Sequence, residues 1–92
     1  MTIVLNRCFG GFHLPDEFCS MYGFRRYSRI DRTDSRLVEF VRSHADEEGC
    51  FCEGNAELEV VEIPDSCTDW ELDEYDGAES IIYVMDGKLH HA

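Results

Sequence analysis

Lysine and arginine are both absent from Ser43 through Gly87, and Lys88 is the only lysine in the 92-residue chain. A half-chain without cations has no direct grip on nucleic-acid phosphates, so nucleic acid itself is not an expected ligand. Hydrophobic runs are short as well. None approaches the ~18–20 residues needed to cross a bilayer, and the start MTIVLNRCF has no basic segment ahead of an apolar one. A membrane span and a secretory leader are therefore not expected, and the chain reads as soluble and cytoplasmic. Its five cysteines, an odd number, then read as reduced thiols, not as a disulfide framework.

What is present is negative charge. Residues 1–45 carry seven Arg and five acids, whereas residues 46–92 carry fifteen acids and Lys88, so the halves sum to +2 and −14 and give the net −12. Self-repulsion on this scale opposes compactness and points to a partner with a strongly basic surface. The acidic half is not the composition of a disordered tail. With 43% hydrophobic residues and eleven aromatics, the chain lies outside the low-hydrophobicity regime of disorder and should fold as one domain over residues 1–92.

Local patterns predict an α+β fold. Thr2–Asn6 (TIVLN) is short, apolar and β-branched, a buried strand. Paired glycines at Gly10 and Gly11 predict a turn over residues 7–12. Pro15, Asp16 and Glu17 suit a first helical turn, giving a helix over 15–22 stopped by Gly23. Thr33 or Asp34 caps a second helix through Ala45, with Leu37, Val38, Phe40 and Val41 on one face. Residues 46–56 (DEEGCFCEGNA) lack periodicity and read as a loop. Strands are expected over 57–63, 70–75 and 80–85, with tight turns at Asp76-Gly77 and Asp86-Gly87 leading finally into residues 88–91. The expected order is β-α-α-β-β-β: an antiparallel sheet of three to four strands with two helices on one face.

In that layout Trp70 and Leu72 face the helices while Glu71 and Asp73 face water. Glu57 and Glu59 join them if their strand pairs alongside with Leu58 and Val60 inside. Carboxylates at i and i+2 on a strand lie about 6.5–7 Å apart, close to the phosphate step of a nucleic-acid strand. With Asp69, Asp76 and Glu79 they make the candidate partner-binding set, and it is a set of phosphate surrogates, not of catalysts. Paired carboxylates do acid–base chemistry inside a cleft, which a short chain with its acids on strand exteriors does not offer, so no enzyme is expected.

Other constellations carry weaker signals. Cys50 and Cys52 form C-x-C, a poor match to the two-residue spacing of zinc knuckles. The carboxylates lack the D-x-D-x-D-G loop of a calcium site, and FGGF lacks the Lys and Ser/Thr of a phosphate loop. No metal or cofactor is expected. His13, between Cys8 and Cys19, belongs to no clear nucleophile pair, because free Cys is usually a small buried hydrophobe. Arg25, Arg26, Arg29 and Arg32, interleaved with Tyr22, Phe24 and Tyr27, are expected to pair with Asp16, Glu17, Asp31 or a sheet edge; the alternative is head-to-tail self-association.

Three segments carry a resemblance: Asn6-Arg7-Cys8-Phe9-Gly10-Gly11-Phe12, then Leu58-Glu59-Val60-Val61-Glu62-Ile63-Pro64-Asp65, then Glu74-Tyr75-Asp76-Gly77. In this order they resemble a family of small proteins found in phages and prophages. The resemblance brings no catalytic residues. What it implies is a setting, the host bacterial cytoplasm, in which small acidic inhibitors of defence systems occur, several anti-CRISPR proteins being acidic DNA mimics. The resulting expectation is a monomeric anti-CRISPR inhibitor occupying a basic DNA- or PAM-reading surface of a Cas effector. Its rivals are a phage accessory interaction protein whose acidity serves solubility, and a zinc-stabilised module built on Cys50, Cys52, Cys67 and a His.

Overall fold

The computed structural model describes residues 1–8, 11–46, 50–53 and 56–92. Among these residues eight elements follow one another: β1 (Thr2–Asn6), α1 (Asp16–Tyr22), α2 (Ser35–His44), β2 (Cys50–Glu53), β3 (Ala56–Glu62), β4 (Asp69–Tyr75), β5 (Ala78–Met85) and β6 (Lys88–His91). The fold is α+β, as the patterns predict. Part of the turn expected over residues 7–12 falls at Phe9 and Gly10, outside the described residues.

Local chemistry sets the helix ends. Pro15 precedes α1, and Gly23 closes it at φ 75°, a left-handed conformation that glycine adopts without a Cβ clash, its N–H donating to the Cys19 carbonyl. Asp34 caps α2, its Oδ1 accepting the Arg36 backbone N–H at 2.8 Å. Both tight turns form where expected. Asp76 and Gly77 take φ 50° and 92°, Asp86 and Gly87 take 55° and 73°, and each pair joins strands as a two-residue hairpin.

The strands divide differently from the expectation. Instead of one sheet there are two, each three-stranded and antiparallel: β1-β3-β2 and β4-β5-β6. The loop expected over 46–56 contains β2, which pairs with β3 through Cys50↔Glu59, Phe51↔Leu58 and Cys52↔Glu57. A four-residue edge strand is too short to show alternation, so it left no periodic trace.

The two sheets exist because β1 is apolar on both faces. Val4 joins Leu14, Phe18, Leu37, Val38, Phe40, Val41 and Leu58 in a core between the helices and the first sheet. Ile3 and Leu5, pointing the other way, form a second core with Ile63 and Ile81, against which Val61, Trp70 and Tyr83 pack. The result is three layers, helices over first sheet over second sheet. Trp70 therefore faces the first sheet, not the helices. Leu72 shares its parity but sits on edge strand β4 and is 37% exposed.

One ion pair ties the layers together. Arg32, in the connector between the helices, holds Glu79 of β5 through both carboxylate oxygens, with Nη2–Oε2 at 2.8 Å. Glu79 Oε1 also accepts the Asn6 backbone N–H at 2.8 Å, and the guanidinium carbon lies 3.6 Å from the Phe12 ring centroid.

Candidate interaction surface

The strand register decides which acids share a face. In the second sheet Asp69 pairs with Val84 and Glu71 with Ile82, Asp73 with Ser80; across the other edge of β5, Val84 pairs with Leu89 and Ile82 with His91. Paired residues point the same way, and this parity is opposite to that of Trp70, Ile81 and Tyr83, which pack inward. The outer face thus carries a column of three exposed acids on β4, a neighbouring apolar column of Ile82 and Val84 on β5, and Leu89, 70% exposed, on β6. Between them lies a shallow depression of about 160 Å³ lined by Asp69, Trp70, Glu71, Ile82, Val84 and Leu89. Lys88 pairs with Met85 and takes the inner parity, so it does not stand among these acids.

The seven acids singled out from sequence separate into three groups. Asp69, Glu71 and Asp73 form the column just described, and Asp76 is exposed in the turn at its end. Glu57 and Glu59 lie on β3 in the first sheet, where Leu58 is buried as expected, and Glu59 is engaged by Arg7 at 2.9 Å. Glu79 is buried, 9% exposed and held by Arg32, so it is a structural acid and leaves the partner-facing set. The negative surface is consequently narrower than alternation alone implied.

Sequence reasoning missed the apolar half of this face. The signal was present in Ser80-Ile81-Ile82-Tyr83-Val84, apolar at both parities, on a sheet that covers only one of them. An open column of Ile, Val and Leu beside fixed carboxylates gives a partner desolvated contact as well as charge.

Two of the four arginines of the basic connector, Arg26 and Arg32, are committed elsewhere. Arg26 pairs with Asp16 at 3.2 Å, as the expectation had it, and Arg32 with Glu79. Arg36 hydrogen-bonds Asp34 and lies over Tyr22 and Phe24, 5.5 and 5.1 Å from their ring centroids.

The cysteines also sort by position. Cys67 packs against the second core, away from the set expected of a Cys50, Cys52, Cys67 and His zinc module. Among the described residues, Cys50, Cys52 and Glu57 have donor atoms within 4.8 Å of one another. Burial, then the neighbouring Cys52 and the negative charges of Glu57 and Asp46, push the Cys50 thiol up to about 12. It is a weak nucleophile. No helix is long and apolar enough to cross a membrane among the described residues. Comparison of the chain with protein-family models, curated proteins and solved structures finds no match.

Proposed function

We propose that the chain is a non-catalytic binding protein whose outer second-sheet face occupies a basic, nucleic-acid-binding surface of a partner protein. The observation that carries this reading is the column Asp69, Glu71 and Asp73 on an open sheet face, with no Lys or Arg in register beside it. Carboxylates fixed about 6.5–7 Å apart by the strand repeat lie near the phosphate step, so they fit a groove of Lys and Arg built for a nucleic-acid backbone. The resemblance to phage and prophage proteins makes a Cas effector the first partner to test, and inhibition of its DNA or PAM engagement the function, that of an anti-CRISPR protein. Such effectors read PAM through Arg side chains and hold the heteroduplex in a positively charged channel.

The test is competition. Wild-type protein should displace target DNA from the effector, with affinity falling steeply as salt rises. Glu71→Lys with Asp73→Lys places like charge against the basic groove and should weaken binding at least about a hundredfold, since such juxtaposition costs several kcal/mol. Unchanged displacement by a folded double variant would remove the mimic mechanism.

The apolar column favours a second reading, an accessory interaction protein whose acids serve solubility. In that case Leu89→Ser abolishes partner binding, while the charge-reversed variant and high salt leave it intact.

A further inference from the structure

We propose that Cys50, Cys52 and Glu57 form a three-donor site for a thiophilic divalent cation, zinc in the first instance, on the β2–β3 hairpin. The site is distinct from the acidic face of the second sheet. Its donors come from one supersecondary unit. Cys50 and Cys52, two residues apart on a strand, point to the same face, and the register sets Glu57 directly opposite Cys52 and diagonal to Cys50. The sulfur atoms are 3.6 Å apart, and Cys50 Sγ is 3.8 Å from Glu57 Oε1.

Those separations are the ones a tetrahedral ion requires. With zinc–sulfur bonds of about 2.3 Å and a tetrahedral angle, two ligand sulfurs sit about 3.8 Å apart; with zinc–oxygen at about 2.1 Å, sulfur and oxygen sit about 3.6 Å apart. Both observed distances fall within about 0.2 Å of these, and the third pair, Cys52 with Glu57, lies within 4.8 Å, a gap that side-chain rotation can close. The same spacing suits a disulfide poorly. Residues i and i+2 of an extended strand have Cα atoms about 6.5–7 Å apart, at the upper limit for a bridge, and their Cβ vectors run parallel.

The surroundings favour a cation. Glu59, opposite Cys50, is neutralised by Arg7, which leaves Glu57 as the carboxylate that turns to the sulfurs. Asp46 steadies the start of β2, its Oδ1 accepting the Cys50 N–H at 3.0 Å and its own N–H donating to the Cys50 carbonyl at 2.9 Å. Two thiolates select zinc over magnesium or calcium. Binding converts two thiols to thiolates and releases two protons per ion, so the three ligands and the ion together carry one negative charge. Cys52 and Glu57 are exposed, which leaves the fourth position open to water.

The full-length protein, stripped of metal and kept reduced with a phosphine, is titrated with Co²⁺ and then Zn²⁺. One equivalent of Co²⁺ should give a thiolate-to-cobalt charge-transfer band and tetrahedral d–d bands, and Zn²⁺ should abolish both. Cys50→Ser with Cys52→Ser should remove the band, Cys67→Ser should keep it, and Glu57→Gln should weaken affinity at least about tenfold. Absence of the band in wild-type protein overturns the proposal, as does its survival in the double serine variant or its loss in Cys67→Ser. Unchanged affinity in Glu57→Gln overturns the three-donor form. Circular dichroism confirms that each variant is folded, and Glu71→Lys with Asp73→Lys, which disrupts the proposed partner face, should bind metal as wild type does.

Discussion

Replacing Glu79 by alanine should destabilise the protein by about 3–5 kcal/mol, the range for breaking a buried ion pair by removing one partner. Three groups lose their acceptor at once: both terminal nitrogens of Arg32 and the Asn6 backbone N–H. Arg32 has little water to turn to. Its side chain is 18% exposed, one face is covered by Phe12, and its other acceptor is the Val4 carbonyl at 3.4 Å. An orphaned N–H alone costs about 1–3 kcal/mol, but the terms share one cavity and do not simply add. For 92 residues the total stability is about 5–14 kcal/mol, so this one side chain accounts for a large part of it. In urea, with a slope near 2 kcal/mol/M, the midpoint should fall by about 2 M. Glu71→Ala, on the open face, should stay within about 0.5 kcal/mol of wild type. Arg32→Met combined with Glu79→Leu should recover part of the loss, because an apolar pair of similar volume leaves no unpaired charge, although the Asn6 N–H stays without its Glu79 acceptor. If Glu79→Ala proves as mild as Glu71→Ala, or the double variant as unstable as the single, the layer-bridging role is refuted.

Asp34→Ala should cost about 1 kcal/mol at pH 7 through loss of the α2 cap, measured by urea unfolding. The Arg36 guanidinium chiefly, with the Arg36 and Leu37 backbone N–H groups, holds the Asp34 carboxyl below its ordinary value while burial opposes it. A depressed folded-state value means that the stabilisation is complete above the unfolded value near 4 and fades as pH falls through the folded one, so the stability difference between variant and wild type should shrink as the solution is acidified below the unfolded value. Phe18→Ala should cost about 3–5 kcal/mol and flatten the near-ultraviolet circular dichroism, since Phe18 stacks on Phe24 at 5.5 Å and meets Phe40 edge-on at 5.6 Å.

Much of the fold was legible because its signals are local. Asp34 as a cap, Gly23 as a stop and the two Asp-Gly turns each act within a few residues of themselves, and each formed where expected. Pairing is not local, and there the reading failed. The apolar residues on both faces of Thr2–Asn6 already meant burial from two sides, so the covering of β1 by helices alone could not satisfy Ile3 and Leu5. Glu79 was beyond reach for a related reason. An acid in an acidic segment looks solvated until its partner is known, and Arg32 lies 47 positions away in the chain. For the surface, strand parity grouped Glu71 with Asp73 correctly, whereas Glu57 and Glu59 were joined to them by assuming a single sheet.

The burial of β1 from both sides, at the edge of the first sheet, also bears on the order of folding. Thr2 pairs with Glu62 and Asn6 with Leu58, so β1 must wait for a partner strand 52 to 60 positions further along the chain. During synthesis at about 5–20 residues per second, an apolar segment waits for seconds while the helices emerge. The β4-β5-β6 meander, by contrast, closes through two-residue turns and can zip on the microsecond scale of hairpins. Its inner face nevertheless has nothing to pack on until β1 and β3 have met. The slow step is closure of the β1–β3 loop, and variants that loosen β1 should slow refolding far more than variants in the meander's turns.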